Sequence, residues 1–168
     1  MGVVKAKPFV VEIVLASAHP EDSGTLDGML GGSAWKLIQT HTCEEALRAV
    51  RHVRVPIVLF DVNLGVQSWQ ESLRNLLLTR HEACVILLAN EADRHLFDQI
   101  ARHGGFELLV RPFEKRHVFQ SLYFAYSQCA AVWPVGSFRP SRDVRLRSLT
   151  ASADGVQSVT AKAATGRG

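Results

Sequence analysis

Cysteine is scarce in this chain, with three residues, Cys43, Cys84 and Cys129, among 168. Their odd number, wide separation and apolar or helical settings exclude reading a disulfide framework or a zinc spacing from the sequence, and fit a reducing cytoplasm. Long apolar runs are also missing: none approaches the roughly 18 residues that span a bilayer. The first nine residues lead into an alternating segment without the apolar core and cleavage site of a signal peptide. The expectation is a soluble, cytoplasmic protein without a membrane partner. The glycines around Gly31 and Gly104 lack any phosphate-loop context. His41, His52, His81, His95, His103 and His117 show no metal-ligand spacing. Ser17, His19 and Asp61 suggest a hydrolytic triad on paper, yet the G-x-S-x-G turn that exposes such a serine is absent. Trp35, Trp69 and Trp133 have no interleaved basic residues, so a base-stacking platform is not indicated.

The net charge of +3 conceals an asymmetry. Beyond Pro134, Arg139, Arg142, Arg145, Arg147, Lys162 and Arg167 face only Asp143 and Asp154, while everything before is close to neutral. A neutral body argues against a nucleic-acid-binding surface. The last residues are Ser, Thr, Ala, Gly and Arg without periodicity, a composition that buries too little apolar area to offset the entropy of ordering. Three segments are expected: a lead over 1–9, one domain over 10–130, and a basic, disordered tail over 131–168. With no output domain following, a stand-alone module is expected.

Within the domain, short β-branched runs alternate with helical periods, the mark of α/β architecture. Strands are expected at 10–16, 35–39, 57–60, 84–88 and 106–110. Helices are expected at 20–30, 43–53, from Ser68 through the Leu73, Leu76, Leu77 and Leu78 face, at 92–102 and at 114–128. Pro20 suits a first helical turn. Thr42 with Glu45 and Ser68 with Glu71 have capping-box spacing. Ile57, Val58, Leu59 and Phe60 form the wholly apolar run of a central parallel strand covered on both faces, with Asp61 at its carboxyl end. Gly104 and Gly105 stop the fourth helix.

The element order, PIVLFDVNLG (56–65), VILLANEAD (85–93) and LLVRPF (108–113) together resemble the receiver domain of two-component response regulators over about 10–128. The resemblance implies a flavodoxin-like, doubly wound five-stranded parallel sheet of order 2-1-3-4-5 with helices on both faces, and a site at the carboxyl ends of the strands. It places Asp61 at the phosphoacceptor position, with a magnesium ion bridging the reactants.

Departures from the family pattern are as informative. Ser17 and Ala18 stand where the family has its two metal-binding acids, leaving Asp61 and the Asn63 backbone carbonyl as a weak magnesium site. Glu21 and Asp22 follow closely but are expected to reach inward only if the loop is reorganised. Ala89 replaces the usual Thr or Ser, which removes a phosphoryl-binding hydroxyl. Arg111 replaces the usual lysine, and its planar fork is suited to clamping Asp61 directly. Leu108 falls where the family's reporter aromatic would be.

The reading is therefore a degenerate, non-enzymatic receiver in phosphorelay signal transduction, with a sensor histidine kinase or other signalling protein as partner. Its alternative is a pseudo-receiver, a protein-protein interaction module that is never phosphorylated. Phe119, Tyr123, Phe124 and Tyr126 give the last helix more aromatic surface than one inward face needs. A homodimer through the last strands and helices is one use for it.

Overall fold

The computed structural model describes residues 10–129; the lead expected over 1–9 and the basic tail over 131–168 lie outside the described residues. In chain order the elements are β1 (Val11–Ala16), α1 (Pro20–Leu30), β2 (Trp35–Thr40), α2 (Cys43–His52), β3 (Ile57–Asp61), α3 (Trp69–Thr79), β4 (Cys84–Ala89), α4 (Arg94–Arg102), β5 (Glu107–Val110) and α5 (Lys115–Cys129). The five strands form one parallel sheet of order β2-β1-β3-β4-β5. The expected doubly wound α/β architecture is the observed one.

Side chains alternate across the pleat, and each face builds its own core. Ile13, Leu15, Ile57, Leu59, Ile86 and Leu88 pack under Leu26 and Leu30 of α1 and Val118, Leu122 and Ala125 of α5. Val14, Val58, Phe60, Val85 and Leu87 pack under Ala46 and Val50 of α2, Leu73 and Leu76 of α3, and Ile100 of α4. Every residue of β3 and β4 is buried, as sandwiching between two helical layers requires. Burying one such leucine or isoleucine is worth about 1.5–3 kcal/mol, so this double core dominates the stability of the domain.

Local signals set the helix ends. The Thr42 hydroxyl accepts from the Glu45 amide at 3.1 Å, but the Glu45 carboxylate accepts from the His41 amide at 2.8 Å, one residue before the partner a standard capping box would give it. The Ser68 hydroxyl accepts from the Glu71 amide at 3.3 Å. The fourth helix begins at Arg94 and not at residue 92, because the Asp93 carboxylate accepts from the Leu96 amide at 2.6 Å and makes Asp93 the cap. Gly104, with φ of 85°, ends that helix in the left-handed region. At Gly105 a Cβ would stand 2.5 Å from Ile100 Cγ2, so only glycine lets the chain pass back against the helix it has just left.

This architecture fixes where chemistry is possible. The sheet order reverses between β1 and β3, and the loops following β1, β3, β4 and β5 leave the same edge of the sheet.

Candidate functional site

Asp61 closes β3 and is fully buried. Its register partner on β4 is Leu88, so the carboxylate stands at the rim of the apolar core, where an unpaired charge would be costly. It is not unpaired. Oδ1 accepts from the Asn63 amide at 2.8 Å, and Oδ2 accepts from Arg111 Nη2 at 2.8 Å. The Ser17 hydroxyl lies 3.4 Å from Oδ2 and His19 Nε2 3.6 Å from it.

Arg111 follows β5, held by its amide bond to the Ala89 carbonyl at 2.9 Å, and its link to Pro112 is a cis peptide. Its side chain is only 14% exposed and runs inward past the Phe113 ring, whose centroid is 5.5 Å from Cζ. The guanidinium reaches three residues. Nε and Nη2 donate to the two carboxylate oxygens of Asp22 at 2.9 and 2.5 Å, the fork-to-fork geometry that distinguishes arginine from lysine. Nη2 also donates to Asp61, and Nη1 donates to Asn90 Oδ1 at 3.2 Å.

Asp22 is the residue that the sequence reading placed outside the site. No loop reorganisation is needed to bring it in. Pro20 starts α1 directly after His19, so Asp22 falls in the first turn on the inward face and is 2% exposed. Glu21 points outward, 3.3 Å from His19 Nδ1. The missed signal was present in the sequence: Asp22, Leu26 and Leu30 recur at i, i+4 and i+8 and are the buried stripe of α1. A carboxylate on an apolar stripe must find a buried cation, and Arg111 is that cation.

Ser17 completes the arrangement. Its hydroxyl donates to Asp22 Oδ2 at 2.5 Å and accepts from the His19 amide at 3.0 Å. Ala18 is exposed and contributes no side-chain hydrogen bond. Ala89 is buried and supplies its backbone carbonyl. Leu108 lies in the core on the α2, α3 and α4 side of the sheet.

The electrostatics follow from the contacts. Burial opposes ionisation of Asp22, but hydrogen bonds from Arg111 and Ser17, with the Arg111 charge, hold its carboxyl below the usual range. Burial also opposes the charge on Arg111, and it is outweighed by the Asp22 hydrogen bonds and the charges of Asp61 and Asp22, which push its pKa up. Two carboxylates thus share one guanidinium, with His19 at the open side of the mouth.

A magnesium ion does not fit this donor set. The acid-pair positions hold a serine and an alanine, and the one additional carboxylate, Asp22, has both oxygens engaged by Arg111. Nη2 stands within hydrogen-bonding distance of both carboxylates, filling the place between them that a bridging cation would need. Among the described residues no group of three or more His, Cys, Asp or Glu side chains is arranged to hold a metal.

The sequence matches no family model and none of the curated proteins. Solved structures do match. The signal receiver domain of an HD domain-containing protein from Pseudomonas fluorescens Pf-5 is 17% identical, with 78% of this chain and 96% of that one covered and a TM-score of 0.65. The chemotaxis protein CheY4 of Vibrio cholerae is 15% identical, covering 69% of this chain and 98% of that one at a TM-score of 0.62. A CheY-like response regulator receiver domain from Methanospirillum hungatei JF-1 is 15% identical over 71% of this chain and 96% of that one, with a TM-score of 0.62. At such identities the likeness is one of fold: residues 10–129 have the receiver fold of response regulators.

Proposed function

We propose that this chain is a pseudo-receiver: a receiver-fold signalling module that works by binding another protein and does not depend on phosphorylation. The observation that carries the reading is the three-way lock of Asp22, Arg111 and Asp61. A receiver carboxylate attacks phosphorus with an oxygen lone pair while cations neutralise the transferring oxygens. Here Oδ2 of Asp61 is held by Arg111, Oδ1 is held by the Asn63 amide, and the carboxylate is closed off from solvent. Transfer would require Arg111 Nη2 to release Oδ2 of Asp61, the loss of a charge-assisted hydrogen bond worth about 1.5–3 kcal/mol before any bond forms.

The residue types agree. Ala89 offers no hydroxyl to a phosphoryl oxygen, Leu108 has no polar group to reorient, and no acid pair holds a metal. The partner class is a signalling protein, a sensor histidine kinase among them, and the chain's own role is non-enzymatic. The other reading, a phosphorelay receiver with Asp61 as acceptor, has one feature in its favour: the Arg111 cation and the His19 ring both stand beside Oδ2.

One experiment separates them. The full chain is incubated with acetyl phosphate, or with beryllofluoride, in magnesium buffer, alongside Asp61→Asn, and intact mass and tryptophan fluorescence are followed. The expectation is no adduct and no fluorescence change at millimolar donor. An adduct on the unmodified chain that disappears in Asp61→Asn overturns the pseudo-receiver reading.

A further inference from the structure

Two of the three thiols meet in the fold. Cys84 is the first residue of β4 and Cys129 the last of α5, 45 positions apart in sequence, and their Sγ atoms are separated by 2.9 Å. That is closer than ordinary contact between non-bonded sulfurs, and a shift of under about 1 Å would bring them to the roughly 2.05 Å of a disulfide. Both are thiols. Each residue is 8% exposed, in the cluster that joins α1 and α5 to the sheet. Cys84 Sγ lies 3.6 Å from the Ala125 carbonyl of α5 and Cys129 Sγ 3.4 Å from the Glu82 carbonyl in the turn before β4, so backbone contacts on both sides hold the sulfurs in place. Cys43 is on α2, packed against the opposite face of the sheet.

We propose that Cys84 and Cys129 are a redox-responsive pair, oxidised by a peroxide to an intramolecular disulfide that ties the end of α5 to the start of β4. The attacking sulfur is that of Cys129. A hydrogen bond with Cys84 holds its thiol below the ordinary range against burial and the nearby Glu82 charge, with the Arg80 charge helping, and the thiolate is the nucleophile. The Cys129 sulfur bonds to one peroxide oxygen, the O–O bond breaks, and the departing hydroxide leaves as water with the thiol proton. Cys84 then attacks the sulfenic sulfur, the S–O bond breaks, and a second water leaves with the Cys84 proton. Two thiols have given two electrons to one peroxide. The bond would pin the last turn of α5 covalently to the start of β4, where packing and weak sulfur–carbonyl contacts now hold it. In a reducing compartment such a bond is transient, which suits a sensor better than a structural staple.

The test uses the full chain, treated with hydrogen peroxide, quenched with an alkylating agent and weighed under denaturing conditions. The expected product has lost two hydrogens, carries one alkylated thiol where the reduced chain carries three, and yields a peptide linking Cys84 to Cys129; dithiothreitol reverses it. Cys43→Ser should leave the bridge intact, and Cys84→Ser should replace it with a dimedone-reactive sulfenic acid on Cys129. Three alkylatable thiols after peroxide, a bridge to Cys43, or a bridge between chains would overturn the proposal. The peptide map of the unmodified chain decides the matter even if a variant fails to fold.

Discussion

Arg111 pairs with two buried carboxylates at once, so the cost of removing it is not that of one surface ion pair. Arg111→Met should destabilise the domain by about 3–5 kcal/mol at neutral pH, since Asp22 and Asp61 would be left buried without a cation. Urea unfolding checks this. The pH dependence has a defined sign. Asp22 is held below its ordinary value of 3.8, so its contribution is present above that value and is lost as pH falls through the lower, folded pKa. Arg111→Met removes that contribution, and the gap between variant and parent should narrow as pH drops below about 4. His117 behaves in the opposite sense. The Glu107 carboxylate, 3.7 Å away, raises its pKa above 6.5 despite burial, so it stabilises the fold below that value and the benefit disappears as pH rises through the folded pKa. His117→Gln should cost less than about 1 kcal/mol at pH 5.5 and progressively less as pH rises, a small effect because the ring is 44% exposed and screened.

Elements were more legible in the sequence than the site they carry. The apolar run before Asp61 announced a covered central strand, and β3 is indeed buried throughout. Thr42 announced the start of α2, and Thr42→Ala should lower stability by about 1 kcal/mol, read from the thermal midpoint, because the Glu45 amide loses its acceptor. Some end positions were off by one or two residues, as at α4, where the Asp93 side chain caps the helix and Arg94 begins it, whereas α2 starts at Cys43 as expected. Asp22 was misplaced for a related reason. It was expected in the first turn of α1 but out of reach of the site without a reorganised loop, while the turn begun at Pro20 already points it onto the inward face. The pairing of Cys84 with Cys129 was beyond sequence reasoning, because it depends on how α5 lies across the sheet.

Across residues 10–129 the architecture is the receiver fold, and the mouth at the carboxyl ends of its strands holds a buried ion cluster. Arg111 engages both oxygens of Asp22 and Oδ2 of Asp61, and the Asn63 amide engages Oδ1, so no pair of free carboxylate oxygens is left to ligate magnesium. Ten-millimolar-scale magnesium should therefore leave the thermal midpoint unchanged, since only a ligand that prefers the folded state raises it. A clear upward shift, absent in Asp61→Asn, would show that the carboxylates are available to a metal.

The guanidinium also joins segments that are far apart along the backbone, 89 residues from Asp22 and 50 from Asp61. The α1 helix needs such a tie, because Gly24 and Gly28 lie within it and Leu26 and Leu30 are its buried apolar residues. Its amides ought to open to solvent together with the loop after β3, as one cooperative unit. In deuterium-labelling experiments the two regions should then exchange at matched rates in the parent chain and lose protection jointly once the arginine is gone.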